Sequence, residues 1–325
     1  MATLPLGIRF LPIGLTPDAV DALAALTDVP AAVDRPSLPP HRLDDDRTMP
    51  PSAFLDPDGD DADPDVDEPV EADVDMEVPD HRLVVRLLGP VSVESRDGVP
   101  VEFERSKTKE LIAWLATHRD RSTRSSARAA LWDLDVRDAT FSNVVSEARR
   151  AMARCVEPPD GEEWVGRTMT DDLPLHDLVV TDVDLVRHAI DTARLQPPAM
   201  AIETLRNALV WVSGVPFEGT SYLWPDAEGI TSDCVLRAIT LTTSLAEHCL
   251  SVGDVEGVFE ATGRGLRVLP AHEEMIAVRM RAYATVGDRA GVSHEWESYE
   301  RAITADPWSD GEPSPEMLDL RRELM

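Results

Sequence analysis

Side chains that read nucleic-acid bases and phosphates gather on one helical pattern near the middle of the chain. Between Asp138 and Cys155, Phe141, Val144, Val145, Ala148 and Met152 fall on one side of a helical wheel of about 100° per residue. The other side carries Asn143, Ser146 and Arg150, flanked by Ser142, Arg149 and Arg154. Asn and Arg pair bidentately with adenine and guanine edges, and Ser serves either. More cations stand where a duplex backbone would run: Arg105, Lys107 and Lys109 before one helical pattern, Arg124 and Arg128 about the start of the next. Ser125 and Ser126 add hydroxyls and amides suited to phosphate at a helix start.

Chemistry of other kinds finds no constellation. The sequence holds no G-x-x-x-x-G-K-[ST], G-x-S-x-G or H-E-x-x-H pattern. His188, His248 and His294 sit on helical patterns with no second ligand one turn away. Asp56, Asp58 and Asp60 imitate part of a calcium loop, but Asp61 stands where Gly is required and Asp67 where Glu is. Pro57 and Pro64 also interrupt it. No catalytic residue, metal, cofactor or small-molecule substrate is expected. Cys155, Cys234 and Cys249 form no CxxC and leave one thiol over from any pair, as in a reducing cytoplasm. No uninterrupted apolar run reaches the ~18 residues of a membrane span, and the N-terminus lacks the basic region of a secretory signal.

The net charge of −30 over 325 residues argues against nucleic acid only until it is divided. Residues 82–155 hold 14 basic and 10 acidic side chains, net +4, between stretches of net −16 (1–80) and −18 (156–325). A basic island in an acidic chain is where a phosphate-facing surface belongs. The acidic net of the C-terminal region favours a basic partner surface there.

Four segments follow from the pattern. Residues 1–27 hold an apolar run and a helix over Pro17–Leu26, too little for a core, which either packs on the rest or is the remnant of a larger protein. Residues 28–80, rich in Pro and Asp, predict a disordered linker, long enough for its acids to compete for the basic island. Residues 81–180 open with strands at Leu83–Gly89 and Val91–Glu94, and a turn at Asp97-Gly98 leads to Val99–Phe103 in a small antiparallel sheet. Helices over Lys107–His118, Ser125–Trp132 and Asp138–Cys155 follow, then a second hairpin of Glu163–Val165 with Leu175–Thr181. This is the order of a winged helix-turn-helix, whose third helix enters the major groove.

Residues 181–325 read as helix almost throughout. Gly253-Asp254-Val255-Glu256-Gly257-Val258 recurs as Gly287-Asp288-Arg289-Ala290-Gly291-Val292, an offset of 34 residues and the period of a tetratricopeptide helix pair. Two copies are too few for such an array, so helices between Val183 and Leu250 must extend it. Trp296 and Tyr299 are expected to pack against a helix over Ser314–Leu324. The predicted fold class is mainly α with a small α+β part: a winged helix followed by an all-α tetratricopeptide-like domain that folds alone.

From Leu87-Leu88-Gly89-Pro90-Val91-Ser92-Val93 through Lys107–Ala116 and Ala130-Leu131-Trp132 to Val145-Ser146-Glu147-Ala148-Arg149-Arg150, the sequence resembles the Streptomyces antibiotic regulatory proteins. Val183-Asp184-Leu185-Val186, the Gly214–Trp224 stretch, Leu245-Ala246-Glu247 and Pro313-Ser314-Pro315-Glu316 extend the likeness over residues 82–325. The resemblance implies a winged helix joined to a bacterial transcriptional activator domain, promoter DNA as one partner and RNA polymerase as a protein partner. Two departures stand against DNA. Asp171-Asp172-Leu173-Pro174-Leu175 occupies the place of the family's Gly-Tyr-x-Leu wing, and Glu147 lies beside the expected base-reading face. The alternative is a scaffold that keeps the fold and binds proteins only. The residues expected at DNA are Lys107, Arg124, Arg128, Ser142, Asn143, Ser146, Arg149, Arg150 and Arg154.

Overall fold

The computed structural model describes residues 78–132, 136–306 and 310–325, with the backbone of Ala2–Thr3 and Arg9–Phe10. Contacts divide the chain into Met1–Glu68 and Pro69–Met325. In the first unit Ala2–Thr3 pairs antiparallel with Arg9–Phe10. The expected helix over Pro17–Leu26, the acidic linker up to residue 77 and its partial calcium loop lie outside the described residues.

In the second unit, β1 (Leu83–Arg86) is the middle strand of three. It pairs antiparallel with β2 (Ser92–Ser95) and parallel with β3 (Val179–Thr181). The sheet is therefore mixed, where an antiparallel one was expected, and Val99–Phe103 is not its third strand. That stretch folds back after the Asp97-Gly98 turn and bridges β2 only at Pro100, with Val101 N–H donating to Val93 O at 2.7 Å. On the other side of that bridge Ser95 N–H donates to Val99 O at 2.8 Å.

Three helices follow, of which the first packs on the sheet and the other two pack on the first. They are α1 (Ser106–Thr117), α2 (Arg124–Leu131) and α3 (Asp138–Cys155). Thr123 caps α2 by accepting from Ser126 N–H at 3.1 Å. Phe141, Val144, Val145, Ala148 and Met152 of α3 are buried, as the wheel requires. The second hairpin is a wing. Val165 bridges Leu175, and Asp172 bridges Thr123 just before α2. Only its base lies in the expected pairing, because Val179–Thr181 leaves the hairpin for the sheet.

Thr181 ends β3 and caps the next helix through a reciprocal box with Asp184. From there the chain is helical: α4 (Asp182–Ala193), α5 (Pro198–Ala208), the single turn α6 (Trp224–Ala227), α7 (Ile230–Ser251), α8 (Val255–Val268), α9 (Glu273–Thr285), α10 (Arg289–Ala305) and α11 (Pro315–Leu324). Pairs α4/α5, α7/α8 and α9/α10 stack in that order, and α11 packs on the last. The repeated turns are alike in detail. Gly253 and Gly287 take φ of 78° and 73°, and Asp254 and Asp288 accept from Gly257 and Gly291 N–H at 2.9 and 2.8 Å. The pair α4/α5 supplies the extension the repeat needs. Trp296 and Tyr299 are buried with Met317 and Leu320 of α11, as expected.

The winged helix and the helical stack share one core. A single cluster runs from Leu87, Leu111 and Met152 through Val183 and Leu205 to Leu245 and Val278. Its polar clamp is Asp182, fully buried, which accepts from Leu87 N–H at 2.9 Å and Leu88 N–H at 3.0 Å. No break in the core marks the expected boundary at residue 180.

Candidate nucleic-acid interface

Helix α3 presents the face that its sequence predicts. Ser142, Asn143, Arg150 and Arg154 are exposed, and Ser146 is half-buried among them. Among the described residues none of the four exposed side chains makes a hydrogen bond or ion pair. The face therefore offers two guanidinium groups and one carboxamide with their donors unspent. Arg124, at the first position of α2, likewise carries no side-chain bond among the described residues, while its N–H donates to Asp171 O at 2.7 Å.

Other expected contacts are engaged inside the protein. Arg149 points away from the free face: it donates through Nε to Val165 O at 2.6 Å and through Nη2 to Gly166 O at 2.7 Å, and pairs with Glu163 at 3.2 Å. Its side chain is only 12% exposed, so it anchors the wing to α3. Burial lowers its pKa most; Glu163 raises it, and Arg167 and Arg124 lower it further. Arg128 pairs with Asp138 and donates to Val136 O, which ties α2 to the start of α3. Lys107 donates to Leu131 O at 2.7 Å, pairs with Glu110 at 2.6 Å and lies 5.4 Å from the Trp132 ring centre. These three cations position elements.

Both acidic departures change meaning in three dimensions. Glu147 does not flank the exposed face of α3, for it is 1% exposed and turned toward α1. It accepts from Glu104 N–H at 2.7 Å and Arg105 N–H at 3.0 Å, and pairs with the Arg105 guanidinium. Burial raises its pKa, but the Thr108 hydroxyl first, then the Arg105 side chain and the Arg105 and Glu104 N–H groups, outweigh that and hold it below the usual carboxylate value. Asp171 folds back from the wing onto α2, where its carboxylate accepts from the N–H and hydroxyl of Ser125. The Ser125 hydroxyl foremost, then its N–H, the Thr123 hydroxyl and the Arg124 charge keep Asp171 strongly acidic against a smaller effect of desolvation. The serine expected at phosphate thus already holds an anion.

Two exposed cations escaped the sequence reading. Arg137 is the N-cap residue of α3, one position before the wheel begins, and makes no side-chain bond among the described residues. Arg167 stands on the wing, 73% exposed and paired with Glu163 at 3.0 Å, and Met169 beyond it is fully exposed. A hairpin centred on Val165 and Leu175 would have placed Arg167 and Met169 beyond its base pair.

Comparison with known proteins agrees with this architecture. Residues 177–325 match the bacterial transcriptional activator domain. No curated protein matches the chain significantly. A solved structure of Mycobacterium tuberculosis EmbR in complex with a low-affinity phosphopeptide is similar in fold, with a TM-score of 0.54 and 22% sequence identity. The likeness covers 75% of this chain and 65% of that one, so the chain spans less than two-thirds of the EmbR chain's length. Among the described residues no group of His, Cys, Asp and Glu is arranged to hold a metal ion, and no helix is long and apolar enough to cross a membrane. Residues 177–325 are thus similar to the bacterial transcriptional activator domain, and they follow a winged helix in the order that the resemblance to the Streptomyces antibiotic regulatory proteins implies.

Proposed function

We propose that this protein is a DNA-binding transcriptional regulator that lays α3 in the major groove and engages a protein partner through its helical stack. The observation that carries the reading is the set of donors without a partner among the described residues: Asn143, Arg150 and Arg154 on α3, with Arg137 and Arg124 at the starts of α3 and α2. In this arrangement Asn143 and Ser146 face base edges, Ser142 lies beside them, and the arginines neutralise phosphates. RNA polymerase is the protein partner that the family resemblance suggests, met by the acidic helices of residues 181–325. The EmbR phosphopeptide belongs to EmbR and assigns no ligand here.

A titration of the full chain against duplex DNA at several salt concentrations tests this. Four free arginines give an expected slope of log K against log salt of about −3.6. Asn143→Ala is expected to relax base preference at one position by about 1–3 kcal/mol while the melting temperature holds. A salt-independent titration, or equal binding to all sequences, excludes base reading by α3. One observation favours a protein-only scaffold as the second reading, namely the Asp171 carboxylate already seated on Ser125 at the start of α2.

A further inference from the structure

A cavity of about 250 Å³ lies between α4, α5 and the chain that leads into β1. Its floor is apolar, formed by Leu185, Ala189, Ala208 and Trp211, with Val78 at the edge. Its polar groups are His81, His188, Thr192, Gln196, Thr204 and Asn207. None of the lining residues is Asp, Glu, Lys or Arg, in a chain where 61 residues are acidic. A wall free of formal charge selects against ions, because burying one without a counter-charge costs far more than hydrogen bonds return. The volume lies below the ~300–1,000 Å³ of pockets for drug-sized molecules. An occupant is therefore small.

The hydrogen-bonding capacity is specific. Gln196 accepts from the Thr204 hydroxyl at 2.7 Å, so its oxygen is in use and its NH2 donors have no partner among the described residues. Asn207 makes no side-chain hydrogen bond among the described residues and brings both a donor and an acceptor. His81 is buried and turned to Pro79 O at 2.7 Å, and His188 Nε2 lies 3.5 Å from the Thr192 hydroxyl. Trp211 provides an aromatic surface. We infer that this cleft binds an uncharged, planar small molecule with an acceptor and a donor on its edge, held against Trp211 and met by the Gln196 and Asn207 carboxamides.

The cleft is wired to the winged helix. Trp211 packs on the small cluster of Val84, Val180 and Leu185, which joins β1, β3 and α4. The Arg86 guanidinium lies 5.0 Å from its ring centre, and Arg86 also donates to Val210 O at 3.0 Å and pairs with Glu94 at 3.2 Å. An occupant that immobilises Trp211 stabilises the strand from which the winged helix hangs. This site needs no DNA, and it stands or falls apart from the reading of α3.

Benzamide, benzoate and benzamidine share one shape and differ in charge, which makes them suitable probes. Saturation-transfer NMR on the full chain should show benzamide binding at millimolar concentration, with each ion at least about tenfold weaker. Benzamide should also raise the melting temperature. Ala208→Leu fills the cavity and should abolish the transfer; if that variant fails to fold, Asn207→Leu, at an exposed position without a partner, should weaken benzamide several-fold. Equal or tighter binding of either ion overturns the inference. So does an absence of transfer to benzamide, or affinity unchanged in a folded variant.

Discussion

Arg149 and Arg150 are neighbours in sequence and opposite in use. Arg150 is free on the outer face of α3, whereas Arg149 spends its guanidinium on the wing carbonyls of Val165 and Gly166. Arg150→Ala should flatten the salt slope by about 0.9 and leave the melting temperature unchanged. Arg149→Ala leaves two wing carbonyls without their donor and should lower the melting temperature, with DNA affinity falling through wing disorder rather than through a lost phosphate contact. If both variants alter only the slope, the wing does not depend on Arg149. Asp171→Asn makes a second test at the same surface. It removes the negative charge from the start of α2 while Ser125 keeps an oxygen partner that a phosphate can displace without repulsion, so the slope should steepen by up to about 0.9. An unchanged slope would show that no phosphate docks beside Ser125. A helical wheel could place Asn143 and Arg150 outward, since both depend only on α3's own period. It could not show which arginine a hairpin would consume, or that Glu147 faces α1, because those partners come from distant segments.

The helices of the winged part were legible nearly to the residue. Asp138–Cys155 carries an unbroken apolar stripe, and α2 has a hydroxyl cap in Thr123. The sheet was not, because β3 pairs parallel with a strand almost a hundred residues earlier and no local pattern encodes such a partner. What fixes the crossing from sheet to stack is Asp182, a carboxylate that is fully buried. Burial drives its carboxyl up to about 7, against the pull of the Leu88 and Leu87 N–H groups and the Arg86 charge. That exceeds the usual carboxyl value of about 4, so the folded state binds the proton more tightly than the unfolded state does. This group's contribution to stability is therefore fully present below about pH 4, falls as pH rises to about 7 and is level above. Asp182→Asn should remove that slope, so its melting temperature should change less between about pH 5 and about pH 8 than the wild type's. Asp182→Ala strands two buried N–H groups at about 1–3 kcal/mol each and should lower the melting temperature at every pH. Parallel pH profiles for wild type and Asp182→Asn would mean that Asp182 does not titrate in this window.

A repeat is visible in sequence because each copy repeats the same turn, and Gly253-Asp254 and Gly287-Asp288 announced the stack correctly. A domain boundary is visible only if the core breaks there, and between Val180 and Asp182 it does not. β3 belongs to the sheet of the winged part, the next residue caps α4, and the Asp182 carboxylate reaches back to β1's end. The loop after α5 adds to the seam, as Ser213 N–H donates to Leu88 O at 2.9 Å and Phe217 N–H to Leu87 O at 3.1 Å. On the other side, His118 at the end of α1 is 3.0 Å from Glu228, which also pairs with Arg121. A fragment of residues 181–325 would leave Leu185 of α4, which packs on Val84 of β1 and Val180 of β3, in water. The expectation from sequence that this fragment folds alone stands beside a second one, which the shared core supplies. In differential scanning calorimetry, residues 78–325 should unfold in a single transition with equal calorimetric and van't Hoff enthalpies. The 181–325 fragment should melt lower or self-associate through the uncovered face. Two resolved transitions in the longer chain, with the upper one reproduced by the fragment, would show instead that the helical stack is autonomous and that the shared core couples its halves only weakly.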